Sequence, residues 1–286
     1  GGEWAGAVLL SMEHGDADKR GRNASFAQVG PSCGTLIGTG FITLVTVMMS
    51  ADQFQAWGWR IPFLLSLLLV IFGLWLRRGV EETPTFVAMQ AAEKTTHTPL
   101  KEVFVNYPKQ LLIAGGSRIG SDVLYALVVV FTLTYVTTVL QLPRPLALMA
   151  TMLGAIGNAI TIPMFGALSD KWGRRPVSIT GAVLAIIWSF VFFVLLDSTQ
   201  PVLIVLAVIG GLLIHAIMYG PQAAFVTEQF PSHVRYAGSS LAYTLAGIVG
   251  GGFAPLIITT LYKEMGSTLW VSLYVTLALL ITMFAL

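Results

Sequence analysis

The sequence predicts an all-α membrane protein of many spans, and three observations carry that expectation. Of 286 residues, 55% are hydrophobic and only 10% are charged, with a mean hydropathy of +0.78. A soluble domain carries about a quarter charged residues, so most of this chain has no water to face. Apolar runs recur along the chain with polar breaks between them, and most have the length of about 20 residues that crosses a bilayer. Finally, Gly166-Ala-Leu-Ser-Asp-Lys-Trp-Gly-Arg-Arg-Pro176 joins two such runs, Leu146–Leu168 and Val177–Leu196, through a turn that carries Asp170, Lys171, Arg174 and Arg175. Two spans joined so closely must form a helical hairpin.

Taken in order, the spans are Gly1–Met12 (cut short), Phe26–Ser50, Trp59–Leu76, Leu111–Val139, Leu146–Leu168, Val177–Leu196, Val202–Val226, Ala237–Leu261 and Leu269–Leu286. The first reads as an internal cut through an apolar segment, because Gly1 opens the chain with no charged leader before it. Backbone groups in hydrocarbon must be satisfied internally, which leaves helices or a closed barrel. Barrel strands alternate apolar and polar residues; runs such as Phe63–Ile71 do not, so the spans are helices. Trp57-Gly58-Trp59-Arg60 precedes Pro62, which suits a helix start at a membrane boundary, with tryptophan at the interface.

Lysine and arginine set the orientation. One set of alternate loops holds Lys19, Arg20, Arg22, Arg77, Arg78, Lys94, Lys101, Lys109, Lys171, Arg174, Arg175 and Arg235; the other holds Arg60, Arg144 and Lys263, with Arg118 inside a span. The basic-rich set is cytoplasmic. The longest polar segment, 79–108, is then a cytoplasmic linker between an incomplete helical bundle at 1–78 and a six-helix bundle at 109–286. Glu13 and Arg20 are seven residues apart after the first span, as are Glu228 and Arg235 after Val202–Val226, and this faint repeat agrees with two parallel halves.

Several functions fall away. A formal net charge of +2 does not argue for nucleic acid, and the single Cys33 excludes a disulfide framework or a thiolate cluster. His14, His97, His215 and His233 are scattered over different segments, so no metal site is expected. No serine–histidine–acid grouping and no phosphate-binding glycine motif is present, and the chain is not expected to be an enzyme or to hold a cofactor.

The hairpin loop Gly166–Pro176 resembles the cytoplasmic loop motif of the major facilitator superfamily, in its second-half copy. Within that superfamily, Gly1–Ala7, Trp57–Phe63, Glu81-Glu82-Thr83-Pro84 and Glu228–Tyr236 resemble the metabolite:proton symporters, which include carriers of proline and betaine, shikimate, alpha-ketoglutarate and citrate. The resemblance implies the major facilitator fold of two six-helix bundles, with about nine of twelve helices present, the fourth to the twelfth. It implies a bacterial inner-membrane location and a carrier that works as a monomer in the lipid bilayer. Its cargo would be a small organic acid, amino acid or betaine, moved with a proton as the coupling ion. Sugar or drug carriage within the same superfamily, or a membrane sensor or scaffold without transport, are the alternatives.

A charged side chain at the bilayer centre costs about 2.5–3.5 kcal/mol on insertion scales, so each one calls for a reason. Arg118 and Asp122 are one helical turn apart on one face, and Tyr125 and Thr132 continue that face. Arg118 is expected to hold a substrate carboxylate, and Asp122 to alternate between pairing with Arg118 and carrying the proton; a permanent ion pair is the alternative. Glu3 is a second expected proton carrier, or an interhelix hydrogen-bonding group. Arg60 is an anchor at the outer boundary or an attractor of anions. His215, Tyr219 and Gln222 share one face, with Asn158, Thr161, Gln28 and Tyr243 as further polar candidates. Gly30, Gly34, Gly38, Gly247 and Gly251 are spaced for close helix contact. A cytoplasmic latch is expected from Asp170, Lys171, Arg174 and Arg175 with Glu228 and Arg235, and from their counterparts Glu13 and Arg20; the alternative is that these charges only enforce topology.

Overall fold

The computed structural model describes residues 3–79 and 99–286, and every described element is helical. Helix α1 (Trp4–Glu13) is followed by a single 3-10 turn and α2 (Arg20–Met48). After a short helix α3 (Ala51–Ala56) and another 3-10 turn comes α4 (Ile61–Arg77). Helix α5 (Pro99–Asn106) leads into α6 (Pro108–Val139), α7 (Arg144–Trp172), α8 (Arg174–Asp197), α9 (Pro201–Glu228), α10 (Ser232–Met265) and α11 (Thr268–Ala285). Eight of the helical segments are long and apolar enough to span a bilayer, and α1, with 10 described residues, is the ninth expected span.

Helix ends overrun the apolar runs. α2 begins at Arg20, not Phe26, and α7 runs from Arg144 to Trp172 around an apolar run of Leu146–Leu168. Hydropathy marks the hydrocarbon, whereas backbone hydrogen bonding carries each helix into the headgroup layer. The break after Ser50, expected to be a loop, forms α3. Ser50 Oγ accepts from Gln53 N (3.3 Å) while Ser50 N donates to Gln53 Oε1 (3.1 Å), a reciprocal cap that starts this short helix. Residues 80–98 of the expected linker lie outside the described residues. Its last part is helical: α5 buries Val103 beside Phe230 and Val234, and His233 Nε2 sits 2.9 Å from Glu102 Oε1.

The largest core lies among α6, α7, α8, α9, α10 and α11, around Leu124, Leu127, Phe131, Phe192, Ile204 and Leu279. A smaller cluster ties α1 and α2 to α9 through Val8, Met12, Ala24, Ala223 and Ala224. The outer surface stays apolar, as lipid requires; Leu64, Leu67, Leu68 and Phe72 of α4 are all exposed. At the basic-rich end α2 and α7 meet at Gly21 and Gly166, where a Cβ on Gly166 would overlap Ser25 and the Gly21 carbonyl. A Cβ on Gly30, Gly34 or Gly38 meets nothing among the described residues, so their spacing packs none of the described helices.

Three π-helical stretches interrupt the α ladder, at Ala126–Phe131 and Tyr135–Val139 in α6 and at Gly247–Gly252 in α10. Each extra residue per turn rotates the face that follows. Thr132, expected to extend the Arg118 face, is therefore fully buried and donates to Leu127 O (3.2 Å) inside its own helix.

Candidate functional site

A cavity of about 330 Å³ opens between α2 and helices α6, α7, α9 and α10. α6 supplies Arg118, Asp122, Tyr125, Ala126 and Val130 to its wall; α9 supplies His215 and Tyr219, and α7 supplies Asn158. α2 brings Pro31 and Ser32, and α10 brings Tyr243, Gly251 and Pro255. Pro31 lies inside α2 and donates no backbone hydrogen bond, which a helix at membrane depth tolerates where it borders a cavity.

Arg118 and Asp122 dominate this space. Arg118 Nε lies 2.8 Å from Asp122 Oδ2, and the two side chains are 11% and 9% exposed. At this distance the two groups form a close, largely buried ion pair. Arg118 Nη1 donates to the backbone oxygen of Tyr243 (2.6 Å), and the guanidinium carbon stands 3.2 Å from the centroid of the Tyr243 ring. α10 can come this near because of its glycines: a Cβ on Gly250 would stand 3.0 Å from both Asp122 Cβ and the Ile119 oxygen.

Neutral polar groups complete the wall. Ser32 Oγ donates to Asn158 Oδ1 (2.6 Å), which leaves Asn158 Nδ2 for Leu212 O (2.6 Å) and His215 Nδ1 (3.2 Å). An amide N–H facing Nδ1 makes that nitrogen the acceptor and puts the ring proton on Nε2. The His215 ring lies between Tyr125 and Tyr219, with centroids at 5.2 and 4.7 Å. Tyr125 Oη meets Thr35 Oγ1 at 2.8 Å, and Tyr219 Oη meets Tyr243 Oη at 3.0 Å.

Toward the basic end a second polar layer underlies the cavity. Gln222 Nε2 donates to Ser121 Oγ (2.7 Å), Gln28 Nε2 reaches Gln222 Oε1 (3.4 Å), and Trp4 Nε1 donates to Gln28 Oε1 (2.8 Å). The Trp4 indole is stacked on Tyr243, 3.6 Å between centroids and 15° from parallel.

Of the expected residues, the cavity gathers Arg118, Asp122, Tyr125, Asn158, His215 and Tyr219, with Gln222 just beneath. Glu3 and Arg60 lie outside its walls. Glu3 is exposed before the first turn of α1, and the adjacent Trp4 is the residue that reaches the polar layer. Arg60 is exposed, with its guanidinium 4.2 Å over the Trp59 ring and Nη1 donating to Ala56 O (2.9 Å), as an interfacial anchor would be. Trp4, Ser32, Thr35 and Ser121 were missed by sequence reasoning, because hydroxyls recur along the spans and tryptophans in several of them, and only tertiary register selects among them.

The basic-rich end carries a separate bonded cluster. Asp170 accepts from the backbone nitrogens of Gly21 (2.8 Å) and Arg22 (3.0 Å), so it caps α2, whose preceding residue Lys19 supplies no side-chain cap. Arg174 Nη1 donates to Asp170 Oδ1 (2.6 Å) and Ser169 Oγ (2.9 Å), and Nη2 donates to Glu228 Oε1 (3.2 Å). Arg235 Nη1 lies 3.9 Å from Glu13 Oε1, a pairing across the two copies of the seven-residue spacing. Arg20, Lys171 and Arg175 are exposed and stand outside these bonds. On the neighbouring turn Lys19 donates to Asp16 (2.6 Å) and holds that exposed carboxyl below the usual carboxylate range.

Buried polar residues thus line a cavity among membrane-spanning helices, and a bonded charged cluster lies at one end. The chain belongs to the Major Facilitator Superfamily, whose family pattern it matches over residues 1–255. It is 37% identical to the shikimate transporter of Escherichia coli K12 over 266 residues, 91% of this chain and 60% of that protein. It is 33% identical to an inner membrane metabolite transport protein of the same organism, over 93% of this chain and 62% of that one. The Escherichia coli proline/betaine transporter is 29% identical over 88% of this chain and 52% of its own length. Among solved structures, the proton:xylose symporter XylE has the same fold, with a TM-score of 0.73 at 20% identity over 97% of this chain and 66% of that one. The chain thus spans about 60% of the length of the first two curated relatives. Family and relatives are transporters, not enzymes, and the protein is a multi-pass protein of the cell membrane.

Proposed function

We propose that this chain forms most of a secondary active transporter that carries a small carboxylate-bearing metabolite together with a proton by alternating access. Residues 1–78 would belong to one bundle and 109–286 to the other, with 79–108 as the cytoplasmic linker. The observation that carries the reading is the close, largely buried Arg118–Asp122 pair on the cavity wall.

Charge balance supplies the mechanism. With Asp122 ionised, Arg118 is neutralised from within. A substrate carboxylate arriving then would leave two negative charges around one guanidinium, and burying the excess charge is expensive. A proton on Asp122 removes that excess and frees Arg118 to form the two-pronged contact a carboxylate favours. Proton and substrate thereby favour each other's binding, which is the coupling a symporter needs. Ser32, Asn158, His215 and Tyr125 offer donors and acceptors to hydroxyl or amine groups on the rest of the molecule. The names of the relatives, carriers of shikimate and of proline or betaine, suit a carboxylate anchor that these molecules share.

The test is uptake by the complete transporter in proteoliposomes under an imposed proton gradient, with labelled shikimate, proline and glycine betaine. Asp122→Asn is expected to abolish gradient-driven accumulation and to keep substrate exchange. Accumulation at the wild-type level by that variant takes Asp122 out of the proton path. Absence of both uptake and exchange of all three acids by the wild type takes away the transport reading for this class of cargo.

A further inference from the structure

The geometry points to Trp4 and Tyr243 as positioning residues that tie the placement of Arg118 to closure of the cytoplasmic end. This inference rests on the reading that Arg118 holds the substrate carboxylate. Tyr243 has the Trp4 indole 3.6 Å from its ring centroid and the Arg118 guanidinium carbon 3.2 Å from the same centroid. Two flat groups so close to one ring cannot share a face, so the tyrosine is sandwiched between them. Each layer comes from a different helix: α1 gives the indole, α10 the phenol and α6 the guanidinium.

The sandwich is held from both sides. Trp4 is fixed in angle by its bond to Gln28 of α2 (2.8 Å), and Arg118 donates to the backbone oxygen of the same Tyr243 whose ring it covers (2.6 Å). Tyr243 Oη is in turn engaged by Tyr219 (3.0 Å). While α1 lies against α10, the ring has one position and Arg118 has a flat surface to rest on. When these helices part to open the cytoplasmic end, the indole leaves with α1, and Tyr243 is released on that face. Arg118 then loses the support that aims it along the cavity wall. The outer-facing state would hold the carboxylate well and the inner-facing state would let it go. The arginine needs both its charge and its planar face for this, because an ammonium is a compact point charge with no face to stack.

The test is a double-mutant cycle on substrate binding, measured per folded, monodisperse protein in the complete transporter. The probe is the most tightly bound of radiolabelled shikimate, proline and glycine betaine. Trp4→Leu is expected to weaken binding about fivefold in the wild-type background and by less than about twofold in an Arg118→Lys background, since the effect runs through the stacked guanidinium. Trp4→Phe keeps a ring on Tyr243 and is expected to stay within about twofold of wild type. Gln28→Leu, which frees the indole without removing it, gives a second route to the same cycle. Equal loss in both backgrounds, or no loss from Trp4→Leu, overturns the coupling and leaves the role of Arg118 standing. Wild-type affinity in Arg118→Lys and Arg118→Gln, or no binding of any of the three probes, removes the underlying reading instead.

Discussion

Gly250 shows how little room the site allows. A methyl group there would meet Asp122 Cβ and the Ile119 oxygen, each at 3.0 Å, and both belong to the facing turn of α6, which cannot swing aside as a flexible side-chain tip would. Overpacking of this kind typically costs about 1–3 kcal/mol. Gly250→Ala should therefore push α10 away from the Arg118–Asp122 turn, lower the melting temperature in detergent by several degrees, and reduce uptake by about tenfold. Unchanged uptake would show that α10 can shift without disturbing the pair. The same residue marks a limit of sequence reading. Gly247 and Gly251 stand out by their four-residue spacing, but the π-helical stretch Gly247–Gly252 turns Gly250 toward α6. Arg118 and Asp122 were legible because charge in hydrocarbon needs a reason. Trp4 was not, because its neighbour Glu3 is the louder signal and only the approach of α1 to α10 decides which of the two faces inward.

At the scale of elements, the apolar runs reported the spans faithfully, because hydrocarbon imposes one rule on every helix that crosses it. Polar segments follow no such rule, and their local structure is harder to read. α5 lies in a stretch taken for linker, yet Val103 is fully buried and Glu102 meets His233 of α10 (2.9 Å). Its exposed Leu100, Phe104 and Val105 suit the membrane interface. An apolar contact, not the partly exposed Glu102–His233 contact, should hold α5 down, since an exposed polar pair is worth only about 0–1 kcal/mol and burial of a valine roughly 1.5–3 kcal/mol. Val103→Asp should thus raise hydrogen exchange across Pro99–Asn106 by about tenfold or more, and Glu102→Gln by only a few-fold, with α8 and α9 unchanged in both. Equal protection in Val103→Asp and wild type would mean that α5 is held by contacts other than its buried face.

For the whole molecule, the cluster at the basic-rich end joins the first two helices to the rest. Asp170 caps α2 from the end of α7, and Arg174 joins that carboxylate to Glu228 of α9. The arrangement is asymmetric, because Arg20 stays outside it while Arg235 approaches Glu13 only at 3.9 Å. One central cation thus serves two acids, and the Asp170 arm, with side chains 15% and 9% exposed, is less screened than the arm to Glu228, which is 34% exposed. Such a network matters only if the open and closed states are nearly balanced, since a bias of about 1.4 kcal/mol changes their ratio tenfold. Arg174→Gln should remove the link to Glu228 and weaken the hold on Asp170, while the two backbone bonds that cap α2 remain. The measurement is a distance distribution between spin labels at Arg20→Cys and Lys171→Cys, exposed positions outside the bonded cluster, with the exposed Cys33 replaced by serine. Arg174→Gln is expected to move population from the short to the long distance by about tenfold in ratio, and added salt to shift the wild type less than that, because the stronger arm is shielded. An unchanged distribution in Arg174→Gln would leave these charges with topology as their only role.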